Sequence, residues 1–408
     1  MKPKRVVVVY DFGSINGGAA QVAIASALGL RRAGLEVDYF CAVGPAAPSF
    51  AGSGVRFHCL EQADLVSDPK RLTAAARGLW NRAAAQGLRK LLETCDPSST
   101  IVHLHGWTKG LSASIFPVIE ELRMPSVTTL HEFFTVCPNG GFFDYQRNEI
   151  CTRRAMGVDC ITTHCDVRSY GQKLWRVARQ GFTQFAGEVP AGLRDVIFIS
   201  ELSREILTPY FSSSTRWHAV RNPLQVEMTP RATAEANAKF LFVGRLSPEK
   251  GADLFAAAAA KAGVGLRIVG DGPVRERIAT NWPEAELTGW LQPSAVLGEI
   301  RASRALVFPS FWYEGQPLVV QEALANGVPV IVADRTAARE VVRDGHNGLW
   351  FRHGDEASLV DALRRMADDA TVEALSRNAH ADYWASPPTL QAHIDRLIEV
   401  YGELPVRH

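Results

Sequence analysis

Short apolar runs recur along the chain, separated by stretches with helical periodicity. Residues 5–10 form a β-branched run that ends in a Gly-rich turn, Gly13-Ser14-Ile15-Asn16-Gly17-Gly18. An Ala-rich helix to about residue 33 and a strand over 37–42 follow, so the chain opens as a βαβ unit. Residues 101–105, 126–130 and 196–200 read as further buried strands, and such runs alternating with helices predict a parallel sheet covered on both faces. A second series occupies 240–243, 266–269, 305–308, 328–332 and 348–351. Between the two series, residues 222–238 carry Pro223 and Pro230 and break any periodicity, as a linker does. The division is therefore residues 1–222, 239–384 and a terminal segment, 385–408, whose last helix, about 390–401, is expected to return to the first domain. Two open α/β sheets bind ligands beyond the carboxyl ends of their strands, which predicts a cleft between facing domains.

A length of 408 residues with 47% hydrophobic content provides ample core for two or three domains. Lys2, Lys4 and Arg5 precede an apolar run that Asp11 ends too early for a signal-peptide core, and no segment is long enough to span a bilayer. The expectation is a cytoplasmic protein. Net charge is +1, which selects no nucleic-acid partner. The first 200 residues nonetheless carry 22 Lys/Arg against 17 Asp/Glu, and the remainder 22 against 26. Residues 70–91 and 168–185 combine these cations with Trp80, Leu88, Trp175 and Phe182, a pattern compatible with surface helices or with peripheral contact to an anionic membrane. Seven cysteines without short paired spacings suit reduced thiols. Cys137, Cys151, Cys160 and Cys165, beside His164, lie close enough in sequence for a tetrahedral zinc site, but they contain no C-x-x-C knuckle.

Candidate chemistry concentrates in the second half. Glu314 precedes Gly315-Gln316-Pro317-Leu318-Val319, and a helix is predicted from Pro317 to the Asn326-Gly327 stop. Backbone N–H groups of residues 315–319 then point out of a helix N-terminus, where unpartnered donors and the macrodipole favour an anion or a cluster of hydroxyls. Glu322 lies about a turn and a half further, so the two carboxylates serve different parts of one long ligand, such as a sugar and a ribose. Gly244-Arg245-Leu246-Ser247-Pro248-Glu249-Lys250-Gly251 follows a strand, and its Arg245/Lys250 pair suits a diphosphate. The turns Val269-Gly270-Asp271-Gly272-Pro273 and Leu287-Thr288-Gly289-Trp290 end strands of the same sheet, where glycine allows close approach of backbone to a nucleotide.

In the first half, His103-Leu104-His105-Gly106 and Leu130-His131-Glu132 also end strands, and His131 is a candidate hydrogen-bonding partner for a sugar hydroxyl. Gly17 and Gly18 lack G-x-G-x-x-G spacing, which argues against a nicotinamide site. No two aspartates are separated by one residue, so no D-x-D metal clamp is available. With a sugar diphosphate as donor, Arg245, Lys250 and helix N-termini must supply the positive field. No cofactor or metal is expected.

Taken together, Gly17-Gly18-Ala19, His131, Phe242-Val243-Gly244-Arg245 with Lys250, Val269-Gly270-Asp271-Gly272-Pro273, and Glu314 with Glu322 resemble glycosyltransferase family 4, over nearly the whole chain. That resemblance implies the GT-B fold, two Rossmann-like α/β domains with parallel sheets facing an interdomain cleft, and retaining transfer of a hexose from a nucleotide-diphosphate sugar. The acceptor implied is a saccharide or lipid-linked saccharide in surface polysaccharide or glycolipid synthesis. It further implies that Arg245 and Lys250 hold the donor diphosphate, that Glu314 and the amides of 315–319 hold the transferred sugar, and that Glu322 binds ribose. His131 would contact the sugar, with Gly17 and Gly18 near acceptor and phosphates. Gly-Gln-Pro-Leu after Glu314 departs from the commoner Gly-Phe-Gly-Leu and bears on the donor sugar. Two other readings stay open: a GT-B epimerase or phosphorylase, and a non-catalytic sugar-nucleotide-binding scaffold.

Overall fold

The structure, a computed structural model, describes residues 3–405; Met1, Lys2 and the last three residues of the terminal segment lie outside it. The chain divides into two compact units. Unit 1 takes in the chain to Gly141, Arg153–Pro223 and the stretch from Pro388 on, and unit 2 comprises Phe142–Thr152 and Leu224–Pro387. Residues 142–152, assigned by sequence to the first domain, and the linker therefore both group with unit 2.

In unit 1 the elements run β1 (Arg5–Val9), α1 (Gly18–Arg32), β2 (Glu36–Cys41), β3 (Arg56–Cys59), α2 (Arg71–Leu79), α3 (Arg82–Leu92), β4 (Thr100–Leu104), α4 (Ile115–Glu121) and β5 (Ser126–Leu130). A short hairpin of unit 2, β6 (Phe143–Asp144) with β7 (Glu149–Ile150), comes next in the chain. Unit 1 then resumes with α5 (Val158–Thr162), α6 (Tyr170–Phe185), β8 (Asp195–Phe198), α7 (Glu201–Leu207) and β9 (Arg216–Ala219). Its seven-stranded sheet, ordered β3-β2-β1-β4-β5-β8-β9, is parallel throughout. Val6, Val7, Val8 and Val9 of the central strand are fully buried, as a strand covered on both faces requires.

Unit 2 runs β10 (Lys239–Val243), α8 (Ala252–Ala262), β11 (Gly265–Val269), α9 (Arg275–Asn281), β12 (Glu286–Gly289), α10 (Pro293–Arg301), β13 (Ala305–Phe308), α11 (Leu318–Ala325), β14 (Val330–Ala333), β15 (Gly348–Phe351), α12 (Glu356–Arg365) and α13 (Asp369–Ala385). Its six strands are also parallel, in the order β12-β11-β10-β13-β14-β15. The two parallel α/β domains expected from the sequence are thus present. The final helix, α14 (Leu390–Glu403), packs on α1 of unit 1: Ile394, Leu397, Val400 and Tyr401 are buried, and a Cβ on Gly29 would stand 2.6 Å from Ile394.

The edge strands β3 and β9 were not predicted, and β12 was seen only through the turn that ends it. Each is four residues long and carries polar groups, such as Arg56 and His58 or Arg216 and His218, because an edge strand lacks the two apolar faces that mark a central one. The basic stretch over 70–91 divides into α2 and α3 because the Asn81 side chain accepts the Ala84 amide and donates to the Gly110 carbonyl at 2.8 Å, capping a new helix. In both sheets the strand order reverses beside the first strand, between β1 and β4 and between β10 and β13. Such reversals open a crevice at the carboxyl ends of the strands.

Candidate functional site

In unit 2 the chain leaves β10 through Gly244 and Arg245 and makes a tight turn over Pro248–Lys250. Gly251 follows with φ +70°, and a Cβ there would meet the Pro309 carbonyl at 2.3 Å, so only glycine lets this turn press against the end of β13. That approach sets the charges. Lys250 Nζ donates to Glu314 Oε1 at 2.7 Å and lies 4.7 Å from the Trp312 ring, and Ser310 Oγ donates to the same carboxylate oxygen at 2.7 Å. Glu314 itself has φ +56°, an uncommon conformation for a side-chain-bearing residue, held by those two donors. Arg245 Nη2 bonds the buried Glu249 at 2.8 Å while most of its side chain, 62% exposed, stays accessible.

Just beyond Glu314, α11 begins at Leu318 after Pro317, and no side chain caps it, so its first amides remain available as donors. Glu322 sits on this helix with no described residue donating to its carboxylate, and burial raises its pKa above the usual range. Gly270, with φ +139°, would carry a Cβ only 1.9 Å from the Gly244 carbonyl; glycine alone lets the β10 and β11 turns touch.

These residues line a cavity of about 750 Å³. It brings together Gly244, Arg245, Lys250, Gly270, Glu314, Pro317, Leu318, Val319 and Glu322. Gly315 and Gln316 belong to the loop beside it rather than to its wall. The sequence reading placed the Leu287-Thr288-Gly289-Trp290 turn at this sheet edge but missed the apolar wall beside it and the role of Trp312. Trp312 packs beneath Lys250, while Leu291, Pro293 and Val296 make an apolar wall with Trp290, which is 75% exposed. An exposed tryptophan directly after a strand was the available signal. Cations and free amides at one end, an unpartnered carboxylate in the middle and an apolar wall with an indole suit a ligand that is anionic, hydroxylated and aromatic in turn.

The unit 1 crevice differs. Tyr10 and Asp11 from the end of β1, His105 after β4 and His131 after β5 surround a cavity of about 40 Å³. Buried Asp11 accepts the amides of Lys109, Gly110 and Leu111 at 2.8, 2.8 and 2.9 Å, fixing the turn after β4; burial raises its pKa against those bonds. The sequence had shown Asp11 only as the end of an apolar run. His131 Nε2 lies 3.0 Å from His105 Nδ1 and the two rings stack with centres 5.3 Å apart, while the His103 ring lies tilted against His105 at 4.1 Å. His103 in turn bonds Tyr401 Oη and Thr129 Oγ1, each at 2.7 Å. Burial pushes His131 down to about 3 and His103 and His105 well below the usual histidine range, so all three are neutral. His131 is therefore a hydrogen-bonding group at neutral pH. Gly17 and Gly18 open α1, and a Cβ on either would meet nothing within 4 Å, so the helix N-terminus is unobstructed.

None of the seven cysteines is disulfide-bonded, and no group of three or more His, Cys, Asp or Glu side chains among the described residues is gathered as a metal site, the Cys137, Cys151, Cys160 and Cys165 set included. Cys151 groups with unit 2, apart from the unit 1 cysteines; of these, Cys160 lies 3.5 Å from the buried Lys173 Nζ. No helix among the described residues is long and apolar enough to cross a membrane.

Residues 17–223 match the family described as "Glycosyl transferase 4-like domain", and residues 237–369 match "Glycosyl transferases group 1". Among curated proteins, the chain is 38% identical over 136 residues to a GDP-mannose-dependent alpha-mannosyltransferase of Mycobacterium tuberculosis, a stretch covering 33% of this chain and 36% of that protein. The chain thus spans only 36% of the length of that relative. Among solved structures, sucrose-phosphate synthase from Thermosynechococcus elongatus superposes with a TM-score of 0.69 at 18% identity, covering 98% of both chains. HepE from Anabaena, solved in complex with UDP and glucose, gives 0.66 at 17% identity, covering 98% of this chain and all of that one. At these identities the structural likeness establishes the fold.

Proposed function

The chain belongs to the glycosyl transferase 4-like family, and from that premise we propose that it is a retaining, metal-independent glycosyltransferase that takes a hexose from a nucleotide-diphosphate sugar. The observation that carries this reading is the unit 2 cavity, in which Arg245, Lys250, Glu314, Glu322 and the open end of α11 share one wall. Arg245 and Lys250 hold the diphosphate, each charge-assisted contact contributing about 1.5–3 kcal/mol. Lys250 now pairs with Glu314, so donor binding places a phosphate oxygen where it shares the ammonium. Glu314 and the amides of residues 315–319 then hold sugar hydroxyls, and Glu322 accepts from ribose. The apolar wall with Trp290 suits the base.

As the glycosidic bond breaks, charge grows on the leaving diphosphate, where two cations and the helix N-terminus stabilise it without a divalent ion. None of these side chains is set up as a covalent nucleophile, and a front-face displacement, with the departing diphosphate taking the acceptor proton, keeps the anomeric configuration. Acceptor recognition is assigned to unit 1, with neutral His131 offering a hydrogen bond to a hydroxyl, for a saccharide or lipid-linked saccharide of surface polysaccharide or glycolipid synthesis. Peripheral contact with an anionic bilayer is proposed for the same unit. Its support is the exposure of Leu72, Leu174, Phe182 and Phe185 on basic α2 and α6, and co-sedimentation with phosphatidylglycerol vesicles tests it.

Thermal-shift titration with UDP, GDP, ADP and their sugar conjugates, in chelator, tests the donor site. Wild type should be stabilised by one nucleotide class and release that nucleoside diphosphate on acceptor addition. The Arg245→Ala/Lys250→Ala variant should lose both responses. Stabilisation that survives in the variant, or that requires a divalent ion, would refute the proposed site.

A further inference from the structure

Unit 1 holds a second cavity, of about 470 Å³, beside the N-terminus of α6. Five cations line it, Arg71, Lys109, Arg168, Arg176 and Arg179, and no carboxylate does. Arg176 is balanced by the buried Asp166 at 2.9 Å and Lys109 by Glu132 at 3.5 Å, whereas Arg71, Arg168 and Arg179 make no ion pair among the described residues. Arg179 is buried, with its guanidinium 5.3 Å from the ring centres of both Phe134 and Trp175, and it donates to the carbonyls of Thr108 and Pro138. A guanidinium fixed in this way is a permanent charge at the base of the cavity; burial lowers its pKa only to about 10. Ser169 caps α6 and lines the same space, adding the positive end of a sixteen-residue helix.

The rim has the opposite character. Val66, 56% exposed, lines the cavity together with Leu65, Ala74 and Ala75 and the rings of Phe134 and Trp175. A single exposed apolar residue needs no explanation, but Val66 beside Leu65, Ala74, Ala75 and two aromatic rings gives the cationic cavity an apolar side suited to a chain of methylenes. We propose that this cavity binds a phosphate or diphosphate carried on an apolar chain, and so selects an anionic amphiphile as the acceptor. The proposal rests on the glycosyltransferase reading for the word acceptor only. The binding site itself stands on the cations and the rim.

The test uses the full chain with Arg245→Ala/Lys250→Ala, so that the unit 2 cavity cannot take the probe. Geranylgeranyl diphosphate should bind with one-to-one stoichiometry, at least about tenfold more tightly than inorganic diphosphate and than geranylgeraniol, because charge and chain both contribute. Adding Arg71→Gln and Arg168→Gln should weaken it at least about tenfold, and Arg168→Glu alone should do the same. Arg168 is exposed and its side chain hydrogen-bonds Gln172, so the single variant is expected to fold. Competition by phosphatidylglycerol vesicles would identify a bilayer headgroup as the source of the phosphate, and its absence a lipid-linked diphosphate. Equal binding by the Arg168→Glu protein, or equal affinity for geranylgeraniol or inorganic diphosphate, would overturn the proposal. Nucleotide binding by the protein with Arg245 and Lys250 intact reports separately on the donor reading.

Discussion

Both sheets reverse strand order beside their first strand, yet opposite chemistry fills the two crevices. In unit 2 the groups at the reversal are charged, partly exposed and paired with one another, as Lys250 is with Glu314 and Arg245 with Glu249. In unit 1 a buried row of neutral rings runs from His131 through His105 and His103 to Tyr401, beside an Asp11 carboxyl already taken up by three backbone amides. A charged crevice can exchange an internal partner for a ligand phosphate, whereas a buried histidine stack can only present one fixed hydrogen-bonding edge. On the proposed function, the unit 2 crevice takes the donor's charge and the unit 1 crevice positions a hydroxyl.

Acid should separate the two most strongly. His131 titrates near 3 in the folded chain against 6.5 when free, and His393 near 4, both because burial disfavours the cation. Below pH 6.5 the unfolded chain binds protons that the folded one refuses, so stability is present above 6.5 and is lost as pH falls towards 3. The loss is about 1.4 kcal/mol per pH unit for each such group. His103 and His105 act in the same direction, and all four belong to unit 1, while in unit 2 burial lowers His353. Hydrogen exchange between pH 6.5 and 5, corrected for intrinsic rates, should show protection falling first in β1, β4, β5 and α14. Equal loss in β10 and β13 would end the contrast.

The glycines sharpen it at smaller magnitude. Gly270→Ala puts a methyl 1.9 Å from the Gly244 carbonyl at φ +139°, and should lower stability by about 1–3 kcal/mol or more, seen as a fall in melting temperature. Gly17→Ala meets nothing within 4 Å and should leave stability within about 0.5 kcal/mol of wild type. Comparable losses in both would mean that unit 1 also depends on a glycine contact at its crevice.

What the sequence disclosed follows the same line. The strands at 126–130 and 305–308 were predicted to the residue, because short buried runs rich in β-branched and apolar residues, bounded by turn residues, mark interior strands. The helix after Glu314 was equally legible from Pro317 and the Asn326-Gly327 stop. The polar edge strands β3 and β9 were not, and neither were interactions between residues distant in sequence. Nothing local shows that Tyr401 bonds His103 from 298 positions away, that Asp11 fixes a turn near residue 110, or that Arg179 lies between Phe134 and Trp175. The unit 2 motifs could be read because their residues lie in loops that follow strands directly; the chemistry of unit 1 arises from packing.

Glu322 supplies the finest discrimination, since it is the one carboxylate of the unit 2 cavity with neither a cation nor a described donor beside it. Its burial raises the pKa, which means that at neutral pH the folded chain carries an ionised group it would hold more comfortably protonated. Glu322→Gln removes that charge while keeping shape and an acceptor oxygen, so the melting temperature should rise slightly. The same substitution replaces a charge-assisted contact to a ribose hydroxyl with a neutral one, worth about 0.5–1.5 kcal/mol, and nucleoside diphosphate affinity should fall about three- to tenfold. Opposite movement of stability and affinity is the signature of a group retained for its ligand. If both fell together, Glu322 would be a structural acceptor, and the cavity's recognition of ribose would have to come from backbone groups instead.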